Sequence, residues 1–224
     1  MASEKTAALR RGANEQQLLA EFFSLFVATP ILMAVFAPPS AMPPMLLAVA
    51  AVGLVLLHRT PTFHWRELLQ GWRRIDWRIV AAFAALTAAA SLALVALLRP
   101  EAYLMLLRVN PLLWLAVMLL YPILSALPQE IVFRPLFFRR YQRILPSGRT
   151  ALVLNAAIFS LAHLMYWNWV AATATFLGGL VFAWAYKARS SFPLAFALHA
   201  VAGNILFTSG IGIFFYTGAI DPPF

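Results

Sequence analysis

The sequence predicts an all-α fold, a polytopic transmembrane helical bundle with seven to eight spans, and three observations support this. Hydrophobic residues make up 62% of the 224 residues and charged residues only 11%, which excludes an ordinary soluble domain. Apolar stretches that approach the roughly 20 residues needed to cross a hydrocarbon core recur along the chain. The positive charges fall in alternate loops, as they do in multi-pass proteins.

Seven apolar windows define the predicted spans, and an eighth is shorter and more weakly marked. We predict the spans at Leu18 to Phe36, Pro44 to Leu57, Ile79 to Leu98, Pro111 to Phe138, Ala151 to Tyr166, Trp169 to Tyr186 and Pro193 to Phe207, with Ile211 to Ile220 as the eighth window. No domain boundary interrupts them, so we interpret residues 1–224 as a single membrane domain.

Loop charges predict the orientation of the bundle. Residues 1–17 are polar and lack the short apolar core of a secretory signal, so we expect a cytosolic N-terminal tail. The cation-rich loops are expected on the cytosolic side. They carry Arg59, Arg66, Arg73, Arg74 and Arg78, then Arg139, Arg140, Arg143 and Arg149, then Lys187 and Arg189. This pattern indicates an integral, multi-pass protein, which we place in the cell (plasma) membrane.

The net charge of +9 indicates which kinds of partner the protein binds. Cations near a membrane surface attract anionic lipid headgroups, so we expect membrane lipids as partners. The cations are distributed over separate loops without a continuous basic face, and we therefore expect no nucleic acid. The absence of cysteine excludes disulfides, thiolate metal sites and a cysteine nucleophile.

Two spans have unusual local sequences. Three prolines, Pro122, Pro128 and Pro135, interrupt the fourth window and predict a kink or a restart, with Pro128 in the first turn of a new segment. In the sixth window a small residue recurs every four positions, which favours close approach of a neighbouring helix. This stripe consists of Ala171, Thr175, Gly179 and Ala183.

Glu130, His163 and His199 are ionisable residues inside three different apolar windows. Ionisable groups are costly in a bilayer and usually face a protein cavity, so together they predict one site. Simpler interpretations remain open: Glu130 and Arg134 are spaced to form an ion pair on one helical face, and each histidine could bond a carbonyl.

Asparagines Asn155 and Asn204 could likewise join helices by hydrogen bonds, the interpretation we prefer for Asn155. One carboxylate with two imidazoles is nevertheless sufficient to activate a water molecule and to stabilise an oxyanion.

Three short motifs follow one another in the second half of the chain, from Pro111 onward. They are Gln129-Glu130-Ile131-Val132-Phe133-Arg134, Phe159 to His163, and His199 with Asn204. In this order they resemble the signatures EExxxR, FxxxH and HxxxN of the CPBP family of CAAX prenyl endopeptidases and bacteriocin-processing (Abi-like) enzymes. Residues 111–207 therefore form the core that carries the family-like motifs.

Two positions depart from the family pattern. Gln129 occupies the place of the first acid, which is the catalytic glutamate of the family, and Gly203 occupies the place of the asparagine, one residue before Asn204. Neighbouring helical positions point about 100° apart, so Glu130 needs a rotation or a kink to replace that acid. We expect Pro128 to supply the kink and Gly203 to permit a bulge that redirects the amide.

The resemblance implies a glutamate-type intramembrane endopeptidase that hydrolyses a peptide bond of a membrane-associated protein or peptide, of the prenylated CAAX type. It implies Glu130, His163, His199 and Asn204 as catalytic residues, with Gln129, Arg134 and Phe159 as supporting residues. Glu130 and His163 would activate water, and His199 and Asn204 would stabilise the oxyanion.

We expect no cofactor, since the histidines lie on separate spans without the HExxH spacing, although two imidazoles and a carboxylate could hold zinc. The alternatives are a non-catalytic relative in which Gln129 marks loss of the base, and a proton-coupled carrier that uses Glu130.

Overall fold

The computed structural model describes residues 14–61 and 63–215, which form helices joined by turns without any β-strand. The all-α prediction is confirmed for this part of the chain. Its α-helices are α1 (Glu15–Phe36), α2 (Met42–His58), α3 (Trp77–Leu98), α4 (Met105–Val109), α5 (Pro111–Arg140), α6 (Gly148–Leu161), α7 (Trp169–Lys187) and α8 (Phe192–Ser209).

Six segments of the described chain are long and apolar enough to cross a membrane, so the predicted count of seven to eight is not confirmed. They are α1, α3, α5, α6 continued to Tyr166, α7 and α8. The apolar part of α2, Pro44–His58, is shorter. Of the eighth window, Ile211–Phe215 forms a 3₁₀ turn, and residues 216–220 lie outside the described chain. Residues 1–13 of the predicted tail also lie outside it.

Helix α5 is irregular around its prolines, as the sequence predicted. It is α-helical over Pro111–Tyr121, π-helical over Pro122–Ala126, α-helical over Leu127–Ile131 and π-helical over Val132–Arg140. Pro128 is the second residue of the middle α-helical segment and directly follows the π-helical turn, which accommodates the backbone hydrogen bond that proline cannot make within a continuous helix. Because π segments alter the rotation between successive turns, they change which α5 side chains face the bundle.

The bundle core is built where α7 packs against α6 and α8, and where α8 also packs against α3. The small residues Ala171, Thr175, Gly179 and Ala183 are all buried along α7. A Cβ atom on Gly179 would lie 3.1 Å from Ala156 Cα of α6. The small-residue stripe therefore brings the backbones of α6 and α7 together, which gives dispersion contacts that lipid cannot replace.

The outer surface of the bundle is covered by exposed aliphatic side chains. Leu97 and Leu112 are 80% and 77% exposed, and Leu86 and Leu119 are also largely exposed. In water a continuous apolar surface of this kind would drive association. In a bilayer the same side chains meet hydrocarbon without cost, as expected for a multi-pass protein.

An ion pair between Glu21 and Arg140 joins α1 to the end of α5. Arg140 donates to both carboxylate oxygens of Glu21, the second of these at 2.7 Å, and to the Leu56 carbonyl of α2 at 3.2 Å. The Tyr141 hydroxyl donates to Glu21 at 2.6 Å. Burial raises the pKa of Tyr141, and the hydrogen bond to Glu21 adds to the effect. These bonds connect α1, α2 and α5 at the arginine-rich end of the bundle.

We predict that Gly179→Leu destabilises the bundle, because its side chain meets the α6 backbone rather than a side chain that can rotate away. Overpacking of this kind costs about 1–3 kcal/mol. The measurement is thermal or denaturant unfolding in detergent micelles. Ala172→Leu, on the exposed face of the same helix, is the matched control and should change stability little. Equal stability of both variants would contradict the close packing of α6 and α7.

Candidate active site

Glu130 and Arg134 form an ion pair inside the bundle. Both side chains are fully buried. Arg134 Nε donates to Glu130 Oε2 at 3.0 Å, and Arg134 Nη2 donates to Glu130 Oε1 at 3.3 Å. The two-bond geometry suits a guanidinium and a carboxylate. The i, i+4 spacing predicted this contact, and it keeps two charges together where neither could be solvated.

Arg134 has further hydrogen-bond partners at its Nη1 nitrogen and two aromatic neighbours. Its Nη1 donates to the Phe133 carbonyl at 3.4 Å and to the side-chain oxygen of Asn155 on α6. The Asn155 amide in turn donates to the Phe133 carbonyl at 2.7 Å. The guanidinium carbon lies 5.1 Å from the centre of the Phe159 ring and 5.7 Å from that of Phe182. Arg134 thus joins α5 to α6 and α7 through polar and cation–π contacts.

His199 of α8 completes the polar group at Glu130. Its Nδ1 lies 2.9 Å from Glu130 Oε1, and its ring stacks on Phe182 with centroids 4.8 Å apart and an interplanar angle of 11°. An ionised carboxylate only accepts hydrogen bonds, so Nδ1 carries the proton. In a neutral ring, Nε2 then keeps a free electron pair and can accept a proton or hold a water molecule.

His163 lies just after the end of α6, in contact with Phe159. Its Nδ1 lies 2.7 Å from the Phe159 carbonyl, which is also an acceptor, so this ring too carries its proton on Nδ1. The Phe159 ring is 4.7 Å from the His163 ring and 5.5 Å from the His199 ring. Phe159 therefore contacts both histidines, and each neutral histidine presents an Nε2 electron pair. His163 is half-buried, whereas His199 is buried.

Asn204 is oriented differently from the residues at Glu130. Its side-chain amide donates to the Met118 carbonyl of α5 at 3.2 Å. The expected bulge at Gly203 was wrong, because α8 is a regular α-helix from Phe192 to Ser209. A position five residues after His199 points about 140° away from it on such a helix. The contact of Asn204 joins α8 to α5.

Gly203 has a different structural role from the predicted one. A Cβ at this position would lie 2.0 Å from the Tyr121 ring of α5. That ring also makes an edge contact with His199, with centroids 6.2 Å apart. The glycine thus allows Tyr121 to lie beside His199, and this need explains the absence of a side chain at position 203.

Gln129 is buried next to the ion pair and bonds within its own helix. Its Nε2 donates to Ser125 Oγ at 2.9 Å, while its Oε1 is buried without a hydrogen-bond partner. An amide cannot take a proton from water near neutral pH. An unsatisfied buried oxygen can still accept a hydrogen bond from a bound water or a substrate N–H.

Sequence reasoning did not identify several residues that complete this region. Phe182 stacks on His199, and Tyr121 packs beside it, but aromatic residues in apolar windows give no distinguishing sequence signal. Glu21, which bonds Arg140, is a carboxylate in the first predicted span that we did not single out. Its position inside an apolar window was a usable signal.

The site residues do not form an evident metal-binding cluster. Among the described residues, no three His, Asp or Glu side chains are grouped in a way that could hold a metal ion. The two histidine Nε2 atoms remain chemically suitable as ligands. Glu130 cannot readily serve as the third ligand while its oxygens bond Arg134 and His199.

Part of the chain matches a known protein family. Residues 110–205 match the family described as Type II CAAX prenyl endopeptidase Rce1-like, which confirms the predicted family resemblance over the part of the chain that holds Glu130, His163 and His199. This is a protease family, and with the six apolar helices it supports an integral, multi-pass membrane protein. No curated protein and no solved structure matches the chain significantly.

We predict that Arg134→Met strongly destabilises the protein, because Glu130 is then buried without its cation. Loss of one partner of a buried pair costs about 3–5 kcal/mol. The double variant Glu130→Gln, Arg134→Met should recover at least half of that loss, since neither charge remains. Unfolding in micelles measures both. The exposed pair Arg99 and Glu101 is the control; Arg99→Met should cost no more than about 1 kcal/mol.

Proposed function

We propose that this membrane protein, whose residues 110–205 match the type II CAAX prenyl endopeptidase Rce1-like family, is an intramembrane endopeptidase. It hydrolyses a peptide bond of a membrane-associated protein or peptide, and the family makes a prenylated CAAX-type substrate the first choice. The observation that carries the proposal is the hydrogen bond between Glu130 and His199, formed inside a bundle of apolar helices, with His163 and His199 both in contact with the Phe159 ring.

In the proposed reaction His199 is the general base. Glu130 holds its Nδ1–H, so Nε2 faces away from the carboxylate and can remove a proton from water. The carboxylate also stabilises the imidazolium that forms. The resulting hydroxide attacks the scissile carbonyl, and His199 then returns the proton to the leaving amine. This differs from the sequence-based roles, in which Glu130 acted with His163 as the base.

The contacts of Glu130 are the reason for this change. Both carboxylate oxygens accept hydrogen bonds from Arg134, and one of them also accepts from His199. A carboxylate held by a guanidinium is a weak base, because protonation would break the ion pair. Glu130 is thus better suited to orient His199 than to receive the proton itself.

His163 and Gln129 are proposed to position water and substrate. We propose that water and substrate reach the site from the side of His163, which is half-buried. Its Nε2 can accept a hydrogen bond from the attacking water. The free Oε1 of Gln129 can accept a bond from a substrate amide. Asn204 is retained as a proposed oxyanion donor, using the N–H that does not bond Met118.

The proposal includes the orientation and the location of the protein in the membrane. With the arginine-rich loops in the cytosol, the N-terminal tail is cytosolic and the protein is proposed to lie in the plasma membrane. His163 follows α6, near the opposite, arginine-poor end of the bundle.

A second candidate function, a non-catalytic relative, is favoured by one specific observation. Gln129 replaces the first acid of the signature, and the adjacent Glu130 is engaged by Arg134 and His199. In that case the polar group fixes the packing of α5 against α8 and performs no chemistry. Catalysis assays separate the two functions.

We predict that His199→Gln and His163→Gln each lower peptide cleavage by about 10²–10⁴-fold, the usual contribution of a general base or its partner. Glutamine at position 199 can still donate to Glu130 but cannot remove a proton from water. The assay is cleavage of a fluorogenic peptide that carries a prenylated cysteine, in liposomes. His58→Gln is the control, because His58 is exposed and bonds Trp65 away from the site.

Two outcomes of that assay would decide against the proposed mechanism. Full activity in folded His199→Gln protein would exclude His199 as the base. No cleavage by the natural sequence, together with cleavage by the Gln129→Glu variant, would identify the non-catalytic relative. Glu130→Gln is interpreted only where unfolding measurements show that the variant is folded, since it leaves Arg134 unpaired.

We further predict that exhaustive chelation leaves most of the cleavage activity intact, because the proposed base needs only Glu130 and His199. Activity is measured before and after treatment with a strong zinc chelator, with a zinc peptidase as the positive control. Loss of activity that added zinc restores would contradict the metal-independent mechanism and would assign the two Nε2 atoms to a metal.

A further inference from the structure

A cavity of about 230 Å³ lies at the arginine-rich end of the bundle, separate from Glu130 and His199. It opens where α5 and α7 end and α8 begins. These are the ends of three membrane-spanning segments, so the cavity lies at the level of the lipid headgroups rather than of the hydrocarbon. The residues that line it include Phe63, Glu67, Phe138, Arg139, Tyr186 and Lys187.

The charges of this cavity leave one cation available. Arg139 Nη2 donates to Glu67 Oε2 at 2.6 Å, so these two opposite charges are matched. The Lys187 ammonium lies 5.4 Å from the centre of the Phe138 ring, and no carboxylate of the described chain forms an ion pair with it. The cavity therefore has a net positive charge at Lys187, on an exposed side chain.

The start of α8 lies on the same side of the cavity. The chain turns at Ser190, with φ of 48°, and α8 begins directly after its N-cap residue Ser191. Ser190 and Phe192 line the cavity. Pro193 has no N–H, and the Leu194 N–H donates to the Ser191 hydroxyl at 3.2 Å. The first turn of α8 therefore offers few free donors, and Lys187 is the main source of attraction for an anion.

Aromatic rings form part of the remaining walls. Phe138 stacks on Tyr186, with ring centroids 5.8 Å apart, and Phe63 and Phe192 also line the cavity, together with Leu68 and Gln70. Aromatic residues are typical of the membrane interface, where one part of a ligand is polar and the next is apolar. A small inorganic anion would use only the cation. A phospholipid places its phosphate at the cation and its glycerol against the rings.

We propose that this cavity binds the phosphate of an anionic phospholipid headgroup, with Lys187 as its principal cation contact. The site is distinct from the peptidase site, and the proposal holds whether or not the protein cleaves peptides. Arg189, two residues further along, carries the same charge but packs over Trp184 at 5.9 Å and does not line the cavity. It therefore provides a matched control for general attraction of lipid to a basic surface.

The test is titration of the full chain in neutral detergent micelles with a short-chain phosphatidylglycerol, followed by calorimetry. Lys187→Gln should weaken binding roughly fivefold or more, the effect of one interfacial cation. Arg189→Gln should weaken it less than twofold, and Lys187→Arg should restore most of the affinity. Thermal unfolding checks that all variants are folded, which the exposure of both side chains favours.

Four results would overturn the proposal. Equal losses in Lys187→Gln and Arg189→Gln would indicate general surface attraction, and unchanged binding in both would exclude the site. Binding of phosphatidylcholine as tight as that of phosphatidylglycerol would show that the net headgroup charge is not recognised. Binding of inorganic phosphate as tight as that of the lipid would assign the cavity to a soluble anion.

Discussion

The buried pair of Glu130 and Arg134 is the interaction on which the rest of the structure depends. In a bilayer an uncompensated charge is expensive, and apolar burial gives little force between helices because lipid is equally apolar. Arg134 therefore has to be matched completely, and its partners come from α5, α6 and, through the aromatic rings, α7. His199 then joins α8 to the same carboxylate. Helices α5, α6, α7 and α8 thus meet at one polar centre.

This centre also limits the chemistry. A carboxylate that neutralises a buried guanidinium cannot freely exchange protons, so its contribution to a reaction passes through the histidine that it orients. The two histidines share the Phe159 ring and present the same nitrogen, because each donates Nδ1–H to an acceptor. The stability of the bundle and the proposed reactivity thus arise from the same hydrogen bonds. Substitutions at Glu130 or Arg134 consequently alter both stability and reactivity. A substitution of the half-buried His163 separates the effect on reactivity from the effect on stability more cleanly.

Polar contacts occur in two regions of the bundle, around Glu130 and at the arginine-rich end, and the two sets differ in kind. Around Glu130 the ion pair and His199 are buried and hydrogen-bonded to one another, whereas the side-chain oxygens of Gln129 and Asn204 are buried without a partner. At the arginine-rich end, Glu21 and Glu67 each pair with an arginine of the α5 terminus, and Lys187 remains available to the lipid interface. Carboxylates thus neutralise the cations needed for helix packing, and the surplus positive charge faces the membrane surface.

The sequence by itself determined the helical class, most span positions, the irregular α5 and the pairing of Glu130 with Arg134, because these follow from local hydropathy, prolines and i, i+4 spacing. It also identified Asn155 as an interhelical hydrogen-bonding residue. Only the tertiary structure decided which histidine bonds Glu130, since that contact joins residues 69 positions apart on two helices. It likewise decided that Gly203 accommodates Tyr121 and that Asn204 bonds Met118. Such contacts depend on the rotation and depth of packed helices, which one-dimensional spacing does not specify.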